Sequence, residues 1–299
     1  MINRVTQQTV QRSTMTNMQR NLSQMSDLQS QLSSGKRITK ASDDPGAVSR
    51  AMAVRAERAA ATQAARNISD GGSWLAQIDT TLQSSVSALR RARDLTVQGA
   101  NEGAMGQTSR EAIATEIEGI RDALLDLANT KINGRLVFAG TSADAVAFED
   151  GASATPYQWN GSTTGTVERR LSPTATVRVD ANGQAAFGAG ATSVFALLDN
   201  IATDLRNGVN VSPRLNEIDT RMDGMLSQLA DVGIRYRQVT DAETALQVTI
   251  QDYTSTISGL EDIDLAATIV ELKMQEVAYQ GALGASARVL QPTLMDFLS

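Results

Sequence analysis

The chain contains no cysteine and no histidine. Those two zeros remove thiol nucleophiles, disulfide staples, serine-histidine-aspartate triads and the common zinc ligand sets, and with them much of known enzymology. Positive charge is in deficit as well. Over 299 residues, 27 Lys and Arg face 33 Asp and Glu, a net charge of −6, so a general electrostatic grip on DNA or RNA is not expected and no nucleic-acid partner is predicted. Long hydrophobic runs are missing too. Nothing approaches the roughly 18 apolar residues of a membrane span, and the polar stretch from Met1 to Lys40 lacks the apolar core of a secretory signal. These absences predict no membrane partner, and either a cytoplasmic protein or one exported without a cleaved signal peptide. Aromatics make up only 4%, and Trp74 is the sole one before Phe138. The first 137 residues must therefore pack with Leu, Ile, Val, Met and Ala, a composition that favours helices meeting helices.

Helical periodicity is what the sequence does have. Met15, Met18, Leu22, Met25 and Leu32 fall on a 4-3 seam interrupted by Gln29, and Ile113, Ile117, Ile120, Leu124 and Leu127 form an unbroken one. The longest run steps from Leu215 through Ile218, Met222, Met225, Leu229, Val232, Tyr236, Val239, Glu243, Leu246, Ile250, Tyr253 and Ile257 to Leu260. Glu243 is its one polar member. As a single helix at about 1.5 Å per residue it predicts a rod roughly 70 Å long. Its register breaks at Glu261-Asp262-Ile263-Asp264, acids that suit a helix start, so a hinge is expected near Gly259. Beyond it a further seam runs through Leu283, Ala287, Leu290, Leu294 and Phe297.

Punctuation agrees with long helices. Asp44-Pro45 sets an N-cap acid before a proline at the first helical position, Thr108 with Glu111 fits a capping box, and the glycine-rich segment 99–106 reads as a helical-hairpin turn. Between 141 and 192 the texture changes to Gly, Thr and Val with the turn pairs Asn160-Gly161 and Asn182-Gly183, predicting a small strand-rich insertion. The predicted fold is mainly α: a long coiled-coil or bundle rod built from both halves of the chain, with a small inserted β-rich domain. The expected division is residues 1–40 with 263–299 as a terminal coiled coil, 41–140 with 193–262 as a helical rod, and 141–192 as the outer β-rich part.

The two ends carry opposite charge. Residues 1–40 hold six basic side chains against Asp27, whereas residues 260–299 hold six acids against Lys273 and Arg288. Each end also has an apolar seam, so the termini are expected to pair, within a chain or between copies. Met15, Met18, Leu22, Met25, Leu32, Leu283, Ala287, Leu290, Leu294 and Phe297 are the expected assembly interface.

Motifs that could carry catalysis are weak. Ser33-Ser34-Gly35-Lys36 has the spacing of a serine-lysine pair but sits where a helix should end. The acids at 261, 262 and 264 lack the glycine and distal Glu of a calcium loop. In Gly188-Ala-Gly190-Ala-Thr-Ser, Ser193 stands where a phosphate loop needs its third glycine. No catalytic, cofactor or metal site is predicted, and the chain is not expected to be an enzyme.

The run Leu-Ser-Ser-Gly-Lys-Arg-Ile-Thr-Lys-Ala-Ser-Asp-Asp-Pro from Leu32 to Pro45, Asn67-Ile-Ser-Asp-Gly, and Leu89-Arg-Arg-Ala-Arg-Asp-Leu-Thr-Val-Gln-Gly-Ala-Asn101 resemble the N-terminal region of bacterial flagellins and their hook-associated relatives. Ala128-Asn-Thr-Lys-Ile-Asn-Gly-Arg-Leu-Val-Phe-Ala-Gly-Thr141 and the end Leu290-Gln-Pro-Thr-Leu-Met-Asp-Phe-Leu298 resemble the hook-associated branch more than filament flagellins. The resemblance implies a layered subunit with paired terminal helices innermost. It implies a structural adaptor at the hook-filament junction, a homo-oligomeric ring or helical layer between the first hook-associated protein and flagellin. It also implies export by the flagellar type III apparatus, assisted by an export chaperone, to the extracellular flagellum. Gly71-Gly72 departs from the family's continuous helix and allows a kink there, and Asp94 replaces a usual Glu in a stretch that resembles an immune-receptor epitope of flagellins. A short filament flagellin and a cytoplasmic coiled-coil scaffold are the alternatives.

Overall fold

The computed structural model describes residues 7–101, 106–171 and 175–289. Helices dominate: α1 (Gln7–Ser34), α2 (Pro45–Ala100), α3 (Gln107–Ala128), α4 (Gly183–Phe187), α5 (Val194–Arg206), α6 (Arg214–Glu261) and α7 (Leu265–Val289). Their ends follow from local chemistry. Gly35, at φ +69°, takes the left-handed conformation that ends α1, and its N–H donates to the Gln31 carbonyl at 2.8 Å. Asp44 accepts from the Ala47 N–H at 2.9 Å, with Pro45 at the first position of α2. The α3 start differs from expectation. Gly106, which has no side chain to cap with, is its N-cap; Thr108 lies inside the helix, and Glu111 pairs with Arg206 at 2.9 Å.

The chain forms two compact units, Met1–Ala60 with Thr249–Ser299, and Ala61–Val248. In the first, α1 packs on α7. In the second, α3 packs on α5, and ion pairs bind the bundle: Arg93 to Asp219 at 2.7 Å joins α2 to α6, Arg91 to Glu116 at 2.6 Å joins α2 to α3, and Arg206 to Glu118 at 2.5 Å joins α5 to α3. The main core lies here, with Ile68, Leu75, Ile78, Leu82, Leu89, Ile117, Leu124, Leu198, Ile201, Ile218, Met225, Val232 and Val239 buried.

Helix α2 continues as one α-helix through Gly71-Gly72, from Pro45 to Ala100. A Cβ on Gly71 would lie 3.1 Å from Val179 and 3.2 Å from Arg169, and one on Gly72 would lie 3.4 Å from Val239. At Gly71 the missing side chain lets Val179 and Arg169 approach closely, whereas the Gly72 distance is an ordinary van der Waals contact.

The β part is small. Among the described residues, β1 (Lys131–Ile132) pairs with β2 (Arg135–Leu136), and β3 (Glu168–Arg170) pairs with β4 (Thr176–Arg178), both antiparallel. The first pair precedes residue 141, and Asn182-Gly183 caps α4 instead of turning a hairpin, with the Asn182 side chain accepting from Ala185 N–H. Side chains take over much of the hydrogen bonding that a larger sheet would supply. Asn129 Oδ1 accepts from the N–H groups of Ala147 at 2.7 Å and Phe148 at 2.9 Å, and buried Asp180 accepts from Val167 N–H at 2.9 Å while pairing with Arg178. An aromatic cluster anchors this part: Phe148 lies 5.2 Å from Phe195, and Phe138 lies 5.2 Å edge-on from Phe187. Tyr157 donates to Asp199 of α5 at 2.5 Å, and Arg121 of α3 pairs with the same carboxylate.

Candidate functional site

Residues 35–37 and 261–263 form a short clasp where α1 leads into α2 and α6 leads into α7. Lys36 and Asp262 make an antiparallel bridge; Arg37 N–H donates to the Glu261 carbonyl at 2.6 Å, and Ile263 N–H to the Gly35 carbonyl at 3.2 Å. Charge reinforces the backbone. Lys36 Nζ lies 2.5 Å from Asp262 and 3.5 Å from Glu261, and Arg55 Nη2 lies 2.6 Å from Glu261. Glu261 is the buried member, held between two cations. The Lys36 hydrogen bond, aided by Ser258, holds the Asp262 carboxyl below the usual carboxylate range, and Asp262 in turn raises the Lys36 ammonium. A serine-lysine base needs the opposite shift, so Lys36 is a structural cation here.

The helix break falls at 262–264, past Gly259, which stays within α6. Of the acids expected to begin a helix, Glu261 and Asp262 enter the clasp, and Asp264 alone caps α7 by accepting from Ala267 N–H at 3.1 Å.

Leading away from the clasp, α1 and α7 run antiparallel, with Gln275 donating to the Asn21 carbonyl at 3.3 Å and to Gln24 at 3.0 Å. The half-buried line of α1 is Thr14, Met18, Asn21, Met25, Leu28 and Leu32, in 4-3 steps. Met18, Met25 and Leu32 thus lie toward α7. Met15 and Leu22 lie on an adjacent line, 66% and 48% exposed. Sequence spacing alone favours the line through Met15 and Leu22, because the packed line spends two of its positions on Thr14 and Asn21.

Helix α7 shows the same inversion more strongly. Thr268, Leu272, Gln275, Tyr279, Ala282 and Ser286 form its more covered line, whereas Leu265, Ile269, Val270, Met274 and Val277 are 45–68% exposed. Leu283 is 42% exposed and Ala287 is exposed; Leu290, Leu294 and Phe297 lie outside the described residues. Ile269, Val270, Met274, Val277 and Ala278 line a shallow groove with Lys273. This stripe was not singled out from the sequence, although its helical spacing is visible there. Complete burial of such side chains is worth about 1.5–3 kcal/mol each relative to full exposure, so at half exposure the five leave on the order of 5 kcal/mol to be gained by covering them. No group of three or more acids, histidines or cysteines able to hold a metal occurs among the described residues, and no described helix is long and apolar enough to cross a membrane.

Residues 5–143 match the family model of the bacterial flagellin N-terminal helical region. The chain is 28% identical over 287 residues to flagellar hook-associated protein 3 of Escherichia coli, spanning 85% of this chain and 87% of that protein. It is 23% identical over 267 residues to Bacillus subtilis flagellin, covering 87% of each. The crystal structure of Bacillus cereus FlgL superposes with a TM-score of 0.59 at 27% identity, covering 69% of this chain and 99% of that one.

Proposed function

Because the chain belongs to the bacterial flagellin family, we propose that it is a structural component of the flagellum, an adaptor at the hook-filament junction. The observation that carries an assembly role is the exposed apolar stripe Leu265, Ile269, Val270, Met274 and Val277 on a helix whose other face already packs on α1. A helix apolar on its outward side is one that further subunits cover. The likeness to hook-associated protein 3 along most of the chain supports the junction over the filament.

In this proposal the terminal helices and clasp form the inner part of a ring or helical layer of copies. One side of the layer meets the preceding hook-associated protein, and the other meets the first flagellin. Met15, Met18, Leu22, Met25, Leu32, Leu283, Ala287, Leu290, Leu294 and Phe297 contribute to that inner part, joined by the stripe on α7. Export runs through the flagellar type III apparatus with a dedicated chaperone. The role is mechanical matching of two lattices, with no reaction to catalyse.

The likeness to Bacillus subtilis flagellin keeps a short filament flagellin as the rival. Seeded polymerisation separates them. Purified full-length protein added to filament seeds is expected not to extend them beyond a cap, and growth into long filaments would establish the rival.

A further inference from the structure

The seam of α6 has one polar position, Glu243, and the structure gives its carboxylate no ion pair or hydrogen bond among the described residues. It is half-buried at the edge of a groove of about 220 Å³ between α2 and α6, lined also by Ser69, Gly72, Ser73, Tyr236 and Thr240. All of those are neutral, so the described residues lining the groove offer the carboxylate no counter-charge. The volume is that of about seven waters and falls short of the roughly 300 Å³ at which small-molecule sites begin. One long side chain fits it.

We infer that this groove is a socket for an arginine of a second copy of this chain, with Glu243 as its counter-ion. This rests on the proposed layer of copies. Three observations choose arginine. The chain carries 23 Arg among its 27 basic residues, and Arg50, Arg90 and Arg237 are exposed without an ion pair among the described residues. Tyr236, 43% exposed, offers a ring on which a planar guanidinium can stack while the hydroxyls of Ser69, Ser73 and Thr240 accept its N–H groups. The groove itself contains no cation, so it cannot pair with its own image across a two-fold axis. A groove that must take its cation from another part of a second copy makes a head-to-tail contact, and such a contact propagates around a ring or along a helix, as a junction layer requires.

The test places a photo-crosslinking benzoylphenylalanine at Ser73 in the full-length protein, expressed in cells that lack the natural copy. Irradiated flagella are isolated and the linked peptides sequenced. The expected product is a covalent dimer of two copies whose partner peptide contains an arginine, with the yield lowered at least fivefold by Glu243→Gln in the same background. The isosteric amide removes the charge and keeps the shape, so a Glu243 that serves only the subunit's own packing leaves the yield unchanged, and that result overturns the inference. Linkage only to another flagellar protein, or none in flagella that contain the protein, overturns it as well. If the protein is absent from flagella, the junction reading fails and the socket fails with it.

Discussion

Lys36 Nζ and Asp262 Oδ1 meet at 2.5 Å although 226 positions separate them in the chain. The pair lies in the clasp, beside buried Glu261 and Arg55, at the point where α1 and α7 begin to run alongside one another. The opposite charges of the two ends thus meet at one built site.

The pH dependence of the clasp follows from its two shifted groups. Asp262 is depressed in the folded state, so its contribution is present above the ordinary carboxylate value near 4 and is lost as pH falls through the lower folded value. Lys36 is raised, so its contribution is present below about 10.4 and is lost as pH climbs through the higher folded value. Thermal melts followed by far-ultraviolet circular dichroism should show a plateau from about pH 5 to 10 for these groups. Asp262→Asn should remove their part of the acid-side decline.

Assembly and folding separate on α7. Val277 is 68% exposed, so Val277→Asp should change the melting free energy by no more than about 0.5 kcal/mol. Incorporation into flagella, measured by immunoblot of sheared appendages, should fall severely. Equal losses of stability and incorporation would mean that the stripe is covered within the subunit.

Gly183 tests the close packing around the β part. A Cβ there would lie 2.5 Å from the Phe138 carbonyl oxygen and 2.8 Å from Trp159 Nε1, which itself donates to that carbonyl at 2.9 Å. Backbone cannot rotate aside as a side chain can, so Gly183→Ala should cost about 1–3 kcal/mol. For a unit of this size that is a fall in melting temperature of about 2–4 °C per kcal/mol by calorimetry.

Tyr157 tests the join to the helices. Burial and the Asp199 carboxylate push its phenol well above the ordinary range, so the hydroxyl stays a donor. Tyr157→Phe removes one hydrogen bond to a charged group and should cost about 1.5–3 kcal/mol in an equilibrium denaturation curve.

Long elements were legible because periodicity accumulates over many turns. The run from Leu215 to Leu260 lies within one helix, α6. Short-range signals were weaker because tertiary contacts override them: Gly71-Gly72 allows a kink, yet α2 continues as helix and Gly71 serves close packing, and the turn pair Asn182-Gly183 caps a helix. In the terminal helices Met18, Met25 and Leu32 are spaced by seven and fit either of two adjacent lines. Which line packs depends on α7, and spacing within α1 cannot decide it. The α7 stripe is not legible as an exposed surface in the sequence, because an apolar line at helical spacing looks the same whether it packs inside the subunit or faces outward. The clasp was legible only as opposite net charge at the two ends, since no local pattern joins residue 36 to residue 262.

The most direct test of the junction role is a deletion strain, examined by electron microscopy of the cell surface alongside an assay of flagellin in the medium. The account predicts hooks without filaments and flagellin lost to the medium, with both defects reversed by the intact gene and not by Val277→Asp. Normal hooks bearing normal filaments would contradict it.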